Sequence, residues 1–256
     1  MNINLLENNI LDNKFKSSII YYETIDSTNT YCKNNFSELE DKSIIIAKTQ
    51  TLGRGKNNRT WFSPMGGIYL SILLKENLTN IELMPLLTSL SIVRAFKKLN
   101  MDMMIKWPND IIVNNKKAGG ILVESKISKG AVACLVVGIG LNVRSLLPSY
   151  EVKNKFIALN EINSTLPSDE LIISTIINEF TSLLNKSNTE LIEEYRLYSI
   201  LQNRNVNLVS DDERMLNVKV LDINIDGSLK LLNIQTNTEF SIHSGEFSIT
   251  GLKDYI

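Results

Sequence analysis

A loop rich in glycine and basic residues separates two short apolar segments in the first third of the chain. The segments 43–48 and 67–74 are dominated by β-branched and apolar residues, and each is too short to favour a helix. The loop between them contains K-T-Q-T-L-G-R-G-K-N-N-R-T-W at 48–61. Because loops of this length inside a compact domain usually have a function, we expect two strands that carry a ligand-binding loop.

The pattern along the rest of the chain indicates an α+β fold, with helices packed around antiparallel strands. Apolar residues spaced three and four apart predict amphipathic helices, and short apolar runs separated by turn residues predict an antiparallel meander. The predicted elements are strands over 18–24, 110–113, 120–124 and 131–141, a helix starting at 27–29, and helices over 81–99, 168–185 and 189–201.

The helical period disappears from Asn205 onward. Five short alternating runs follow, and Asp226-Gly227 is typical of a hairpin turn. We therefore expect a small β-barrel at the C-terminus. The predicted boundary near Gln202 divides the chain into a larger domain over 1–202 and a smaller one over 203–256.

Charge and composition limit the class of protein. The chain has 27 Lys+Arg against 28 Asp+Glu, so a basic site must be local and a general nucleic-acid surface is not expected. No signal peptide and no membrane-spanning apolar run are recognised, which predicts a cytoplasmic protein. Cys32 and Cys134 have no C-x-x-C spacing and are expected to be buried thiols, and His243 is expected on a strand surface.

The composition of the loop predicts an anion-binding site. Gly53 and Gly55 allow backbone N–H groups to approach a ligand closely. Arg54, Lys56 and Arg59 add positive charge, and a guanidinium can bind a carboxylate or phosphate through two hydrogen bonds. The alternative is a surface loop with solvated basic residues. A glutamine before the loop and a tryptophan after it favour a site for an acidic ligand.

Two common nucleotide-binding signatures do not fit. A P-loop requires G-x-x-x-x-G-K-[ST], but Lys56 is followed by Asn57, and a strand rather than a helix comes next. The segment G-I-G-L-N at 138–142 lacks the third glycine and the helix of a dinucleotide fingerprint.

A second cluster, K-W-P-N-D at 106–110, is unusually stiff for the entry to a strand. Pro108 fixes its own φ and favours an extended residue before it, so Lys106, Asn109 and Asp110 are presented in a defined geometry. Lys117 could be an exposed turn residue. The A-G-G that follows it permits close backbone approach and favours a role in the site.

Six motifs together resemble the biotin protein ligase family. They are D-S-T-N at 26–29, Q-T-x-G-R-G-K at 50–56, R-x-W at 59–61, K-W-P-N-D at 106–110, K-x-G-G-I-L-V-E at 117–124 and G-I-G-L-N at 138–142. Their joint order and spacing carry the resemblance over roughly 21–142. It implies a class II aminoacyl-tRNA-synthetase-like catalytic domain of the biotin–lipoate ligase type, with a mixed antiparallel sheet and flanking helices, followed by a C-terminal SH3-like β-barrel.

The resemblance implies an ATP-dependent ligase. Biotin and ATP, with Mg²⁺, would form biotinyl-5′-AMP and pyrophosphate, and a lysine of a biotin carboxyl carrier protein, such as an acetyl-CoA carboxylase subunit, would then accept the biotinyl group. Twenty residues precede Tyr21, too few for the DNA-binding domain of some family members. We therefore expect a ligase-only form without DNA or membrane partners. A monomer and a homodimer both remain open.

The resemblance also implies overlapping sets of site residues. Those with catalytic roles are Arg54, Asp110 and Lys117, while the metal ligands are unknown. Those that bind biotin are Ser27, Thr28, Asn29, Gln50, Gly53, Arg54, Gly55, Lys56, Lys117, Gly120 and Gly138. Those that bind ATP or the adenylate are Arg54, Arg59, Trp61, Lys106, Asn109 and Asn142.

The sequence departs from the family inside the loop, where the usual G-R-G-R-R-G-R is G-R-G-K-N-N-R. Lys56 keeps a charge but loses the guanidinium fork, Asn57 removes a charge and Asn58 replaces a glycine. Leu52 also stands where an alanine is usual. We expect weaker retention of the adenylate and a loop that is mobile without ligand and closes over biotin.

Two alternatives remain. A lipoate protein ligase or octanoyltransferase would share the fold, but its relatives usually carry a different motif at the position of K-W-P-N-D. A non-catalytic carrier-binding or repressor-like protein would keep the fold without the activity, and the presence of Arg54 and Lys117 argues against it.

Overall fold

A computed structural model describes residues 1–76, 80–144, 155–209 and 215–251, with the side chain of residue 58 left out. The described α-helices are α1 (Ile3–Asn9), α2 (Asn13–Lys16), α3 (Thr28–Asn34), α4 (Met84–Lys98), α5 (Asp169–Leu184) and α6 (Asn188–Tyr198). The described strands are β1 (Ile19–Ile25), β2 (Ile44–Gln50), β3 (Ile68–Leu74), β4 (Met104–Lys106), β5 (Asp110–Val113), β6 (Lys116–Ser128), β7 (Ala131–Leu141), β8 (Asn205–Val209), β9 (Met215–Ile223), β10 (Leu229–Asn233), β11 (Thr238–Ile242) and β12 (Ser248–Thr250). Short 3₁₀ turns occupy Lys56–Asn58, Ile81–Leu83 and Leu159–Glu161.

Seven strands form the larger sheet in the order β1-β2-β3-β7-β6-β5-β4. β1 and β2 are parallel, and the other neighbours are antiparallel, so the predicted mixed sheet and its meander are confirmed. β6 is longer than the predicted 120–124 because it pairs with β7 along most of its length.

Both faces of this sheet are covered. Ile44 and Ile46 of β2 join the main hydrophobic core, to which α1, α2, α4, α5 and α6 contribute, whereas Ile45 joins a smaller cluster with Cys32 and Cys134. Because successive residues of a strand point to opposite faces, this alternation places α3 on the face opposite α4 and α5. The two cysteines are buried free thiols, as predicted.

The N-terminal helices α1 and α2 were not predicted from the sequence. Their few apolar residues bury against α5: Leu6 is fully buried, and the Phe15 ring meets Phe180 edge-on with centroids 6.3 Å apart. These helices are too short to be stable alone, so their structure depends on this packing.

The C-terminal strands form a second, five-stranded sheet in the order β11-β10-β9-β8-β12. The predicted number of strands is confirmed, but within 205–209 and 215–251 the terminal strands β11 and β12 do not pair, so the described strands form an open sheet rather than a closed barrel. Val206, Val218 and Leu229 belong to the same hydrophobic core as the larger sheet. No described helix is long and apolar enough to cross a membrane.

Candidate functional site

A cavity of about 730 Å³ lies between the larger sheet, the glycine-rich loop and β12. Its volume falls in the range of small-molecule sites. Every site residue that the sequence predicts lines this cavity except Gly53. The fold therefore brings together motifs that lie more than one hundred residues apart in the chain, from the start of α3 to the end of β7.

The glycine-rich loop folds back on itself as a narrow hairpin. Single bridges join Gln50 to Ser63 and Arg54 to Thr60. Gly53 lies behind the cavity rather than in its wall: its carbonyl accepts the N–H of residue 61 at 2.9 Å, and a Cβ at this position would lie 2.3 Å from the carbonyl oxygen of that residue. Gly53 does not line the cavity, so the lining does not support its predicted contact with a ligand. Because glycine has no Cβ, the backbone of residue 61 can pass close to it and the loop can fold back on itself.

One end of the cavity is polar and uncharged. Thr28 donates to the Gln50 Oε1 from its backbone N–H at 2.9 Å and from its hydroxyl at 3.2 Å. The Gln50 amide donates to Ser63 Oγ at 2.9 Å, and Ser71 Oγ lies 2.6 Å from Asn29 Oδ1. Ser27 caps α3 through its side chain. Buried polar groups held in such a network present fixed donors and acceptors to a ligand.

The other end is cationic. Asp110 pairs with Lys117 at 2.5 Å, and it is the one carboxylate among the described residues that line the cavity. Lys56, Arg59 and Lys106 line the same end. Burial lowers the pKa of Lys106, the positive charges of Lys117 and Arg59 lower it further, and Asp110 opposes the shift. The excess of positive charge in a partly buried site favours anionic ligands such as phosphates.

The indole of Trp61 lies on a floor made by two paired glycines. Gly120 of β6 and Gly140 of β7 face each other in the sheet, and a Cβ at Gly140 would lie 2.6 Å from Trp61 Nε1. The Lys117 ammonium lies 5.3 Å from the ring centroid of Trp61, within the range of a cation–π contact. The two glycines therefore set the position of an aromatic wall beside the cationic end.

The K-W-P-N-D segment is anchored on two sides. The Trp107–Pro108 peptide bond is cis, which the sequence did not predict. Trp107 Nε1 donates to the Gly227 carbonyl at 2.9 Å, and Asn109 Nδ2 donates to the Ile121 carbonyl at 2.7 Å. These bonds fix the segment to the C-terminal sheet and to β6, and so fix the geometry of the neighbouring lysine and aspartate.

Sequence reasoning missed several parts of the site, among them Glu124 and a wall of the C-terminal sheet. Glu124 closes the motif K-x-G-G-I-L-V-E, but no role was inferred for it, and it pairs with Arg54 at 3.2 Å. The second part is a wall formed by 247–251 of the C-terminal sheet, beside which Lys56 Nζ donates to Ser244 Oγ at 3.2 Å. The position of Glu124 in the motif was a usable signal, whereas no sequence pattern marked 247–251.

The mixed sheet, with a basic glycine loop over its cleft, places this chain in the class of biotin–lipoate ligase folds. It can be superimposed on the biotin protein ligase from Aquifex aeolicus in complex with biotin and ATP with a TM-score of 0.77 and 27% identity, covering 91% of this chain and 98% of that one. The model of the Biotin/lipoate A/B protein ligase family matches residues 21–142.

Curated relatives agree with this class. The chain is 30% identical over 211 residues to the bifunctional ligase/repressor BirA of Escherichia coli, covering 78% of this chain and 65% of the relative. It is 29% identical over 237 residues to the biotin–protein ligase of Schizosaccharomyces pombe, covering 79% of this chain and 37% of that protein. The chain thus spans less than two thirds of either relative. Its residues 21–142 form a domain that matches the Biotin/lipoate A/B protein ligase family.

Proposed function

We propose that this chain is an ATP-dependent biotin protein ligase. It activates biotin to biotinyl-5′-AMP with release of pyrophosphate, and transfers the biotinyl group to a lysine of a biotin carboxyl carrier protein. The observation that carries the proposal is a single cavity that joins an uncharged hydrogen-bonding end to a cationic end, with Arg54 in its lining. Such a cavity can hold a neutral ureido ring, the acid chain attached to it and a nucleotide next to one another.

The uncharged end suits the biotin ring. Thr28, Asn29 and Gln50 present both donors and acceptors that are already fixed by neighbouring side chains. A neutral ureido group contains both N–H donors and a carbonyl acceptor, so it can be bound by these groups without burying an unpaired charge. Ser27, Gly120 and Gly138 complete this part of the lining.

The cationic end suits the acid and the phosphates. A biotin carboxylate oxygen attacks the α-phosphorus of ATP, and pyrophosphate leaves. The two reacting groups are both anionic, so fixed cations must offset their repulsion. Arg54 and Lys117 have this role, while Lys56, Lys106 and Arg59 add charge for the phosphates.

The second step needs no nucleophile from this chain. The ε-amine of the carrier lysine attacks the acyl carbon of the mixed anhydride, and AMP leaves as a stable anion. Asp110 lies beside Lys117. Its proposed role is to contact the reacting amine or Mg-ATP. Asn109, Asn142 and Trp61 line the nucleotide side.

Mg²⁺ would enter with the ATP phosphates. Among the described residues no group of three or more His, Cys, Asp or Glu side chains could hold a metal ion, and Asp110 is the one lining carboxylate. Mg²⁺ commonly binds through one or two carboxylates together with substrate phosphates, so this donor set fits an ion delivered by the nucleotide.

We also propose the other properties that the resemblance implies. They are a biotin carboxyl carrier protein as partner, no DNA partner, a cytoplasmic location, either a monomer or a homodimer, an SH3-like barrel at the C-terminus and a domain boundary near Gln202. Residues 252–256, which belong to the predicted C-terminal domain, lie outside the described residues.

The test is incubation of the protein with ATP, Mg²⁺, biotin and a biotin carboxyl carrier domain, followed by mass spectrometry of the carrier. We expect a mass gain of one biotinyl group on the carrier, and none when ATP is omitted. Parallel reactions with lipoate or octanoate distinguish the lipoate ligase alternative. No gain with biotin would refute the proposal, and a gain with lipoate alone would replace it with that alternative.

A further inference from the structure

Glu124, on β6 outside the cavity lining, contacts three donor side chains, two on α3 and one on the glycine-rich loop. Its Oε1 accepts from Lys33 Nζ at 2.6 Å and lies 3.2 Å from Arg54 Nη1, while its Oε2 accepts from Asn29 Nδ2 at 2.9 Å. Among the described residues Arg54 and Asn29 line the cavity, whereas Glu124 and Lys33 do not. Glu124 thus connects α3, the loop and the sheet just outside the ligand space.

The charges of this cluster do not cancel. Lys33 and Arg54 contribute two positive charges and Glu124 one negative charge, which leaves one unit of positive charge. An Arg54–Glu124 pair without Lys33 would be neutral, so it would attract the carboxylate of a ligand only weakly. Because Lys33 already compensates Glu124, the guanidinium keeps its attraction for an incoming acid.

Glu124 also restricts a side chain that would otherwise be mobile. The side chain of Arg54 is 37% exposed and projects from a loop, whereas that of Glu124 is 17% exposed and rises from the middle of a long strand. An arginine that is already held in position loses less conformational freedom when it binds a ligand. Burial opposes ionisation of Glu124, but the bonds from Lys33 and Asn29 outweigh it and lower its pKa, so it is ionised at neutral pH.

We propose that Glu124 is a positioning residue for the activation step: it holds the Arg54 guanidinium at the cavity wall, ready for the carboxylate of the substrate acid, while Lys33 keeps the cluster positive. This inference rests on the proposed function and deepens it. Glu124 acts through Arg54 and does not touch the substrate. Glu124 also accepts a hydrogen bond from Asn29, which lines the uncharged end, but a glutamine carbonyl can keep that bond. The charge of Glu124 therefore contributes to recognition of the acid and not to recognition of the ring.

The experiment compares binding of biotin with that of biotinamide, its uncharged amide, by calorimetry. For Glu124→Gln, which keeps the shape but removes the charge, we expect roughly tenfold weaker binding of biotin and less than about twofold change for the amide. Lys33→Gln leaves Arg54 and Glu124 as a neutral ion pair. We expect it also to weaken binding of biotin without weakening binding of the amide. Glu23→Gln removes a carboxylate from an exposed pair with Lys48 and serves as the matched control.

A double-mutant cycle tests whether the effect passes through Arg54. In an Arg54→Ala background, Glu124→Gln should not weaken biotin binding further. Unchanged biotin binding by both variants, an equal loss for acid and amide, or a full additional loss in the Arg54→Ala background would each overturn the inference. If Glu124→Gln does not fold, Lys33→Gln tests the inference through the same comparison of biotin and biotinamide binding.

The two proposals fail in different ways. A wild-type protein that neither binds biotin nor modifies the carrier would overturn the proposed function, and this inference with it. A wild-type protein that binds biotin and modifies the carrier, together with a Glu124→Gln variant that binds biotin normally, would overturn only the role of Glu124.

Discussion

The indole N–H of Trp107 donates a hydrogen bond to the backbone carbonyl of Gly227, at 2.9 Å, across 120 positions of the chain. Trp107 belongs to the K-W-P-N-D segment, and Gly227 lies in the turn between β9 and β10 of the C-terminal sheet. The bond therefore ties a segment of the cavity wall to a sheet that also contributes residues 248–251 to the cavity. The position of the C-terminal sheet and the geometry of the site are linked through it.

Replacing this donor should lower stability. Trp107 is 4% exposed, so Trp107→Phe leaves the Gly227 carbonyl buried without its partner. We expect a loss of about 1–3 kcal/mol in the free energy of unfolding, measured by urea denaturation. Tyr198→Phe, which removes a hydroxyl from a 3.4 Å surface contact with Lys97, should cost much less. Equal stability of Trp107→Phe and wild type would contradict this account.

Lys117 should be essential for activation of the acid, whereas the adjacent Lys116 should not be. Lys117→Ala removes a cation that lies at the cavity wall beside Asp110 and Trp61. We expect the rate of biotin-dependent pyrophosphate release to fall by roughly 10²–10³-fold, as when a preorganised charge is removed from a transition state. Lys116→Ala, which changes the adjacent lysine outside the cavity lining, is the matched control. Unchanged pyrophosphate release by Lys117→Ala would rule out its role.

The glycine floor beneath Trp61 should control nucleotide affinity. In Gly140→Ala, the new Cβ would lie 2.6 Å from Trp61 Nε1, so the indole must shift. We expect ATP binding to weaken by about tenfold, measured by calorimetry. Gly130→Ala serves as control: its φ of +79° makes the substitution strained, but there is open space around it. Gly130→Ala should lower stability and leave ATP affinity unchanged. A similar ATP affinity for Gly130→Ala and Gly140→Ala would contradict the proposed effect of the glycine floor on nucleotide binding.

The buried lysine of the cationic end should make stability depend on alkaline pH. Burial lowers the pKa of Lys106 from its usual 10.5, so its charged form is disfavoured in the folded state. This destabilising contribution is fully present below the folded pKa and disappears as pH rises from there toward 10.5. We therefore expect Lys106→Met to be more stable than wild type near neutral pH, with a difference that shrinks as pH rises.

Urea denaturation of both proteins over this pH range measures the difference. Burial also lowers the pKa of Lys56, so Lys56→Met should show a change of the same sign. A stability difference between Lys106→Met and wild type that does not vary with pH would contradict the assigned cause.

The glycine-rich loop should become more protected when biotin binds. Its substitutions relative to the family, Lys56, Asn57 and Asn58, favour a loop that is mobile without ligand. We expect slower hydrogen exchange of amides in 51–62 with biotin, and no change for the core amides of β3, which is buried along its whole length. Equal protection of 51–62 with and without biotin would disprove the prediction.

Local sequence patterns were sufficient for most elements of the fold. The strands at 110–113 and 131–141 have the predicted bounds, and α5 differs from the predicted 168–185 by one residue at each end. The predicted helix over 81–99 begins as a 3₁₀ turn, with Pro85 in the first turn of α4. These elements could be predicted because periodicity, helix caps and turn residues act over a few neighbouring positions.

The sequence by itself determined the resemblance to a family, the mixed sheet, the buried thiols and about half of the residues that line the cavity. Only the tertiary structure decided that the C-terminal sheet is open over its described strands, that 247–251 completes the cavity wall, and that Lys33 and Glu124 meet Arg54. The physical reason is distance along the chain: a local pattern specifies a strand or a helix, whereas a contact between residues 33, 54 and 124 exists only once the elements carrying them have packed.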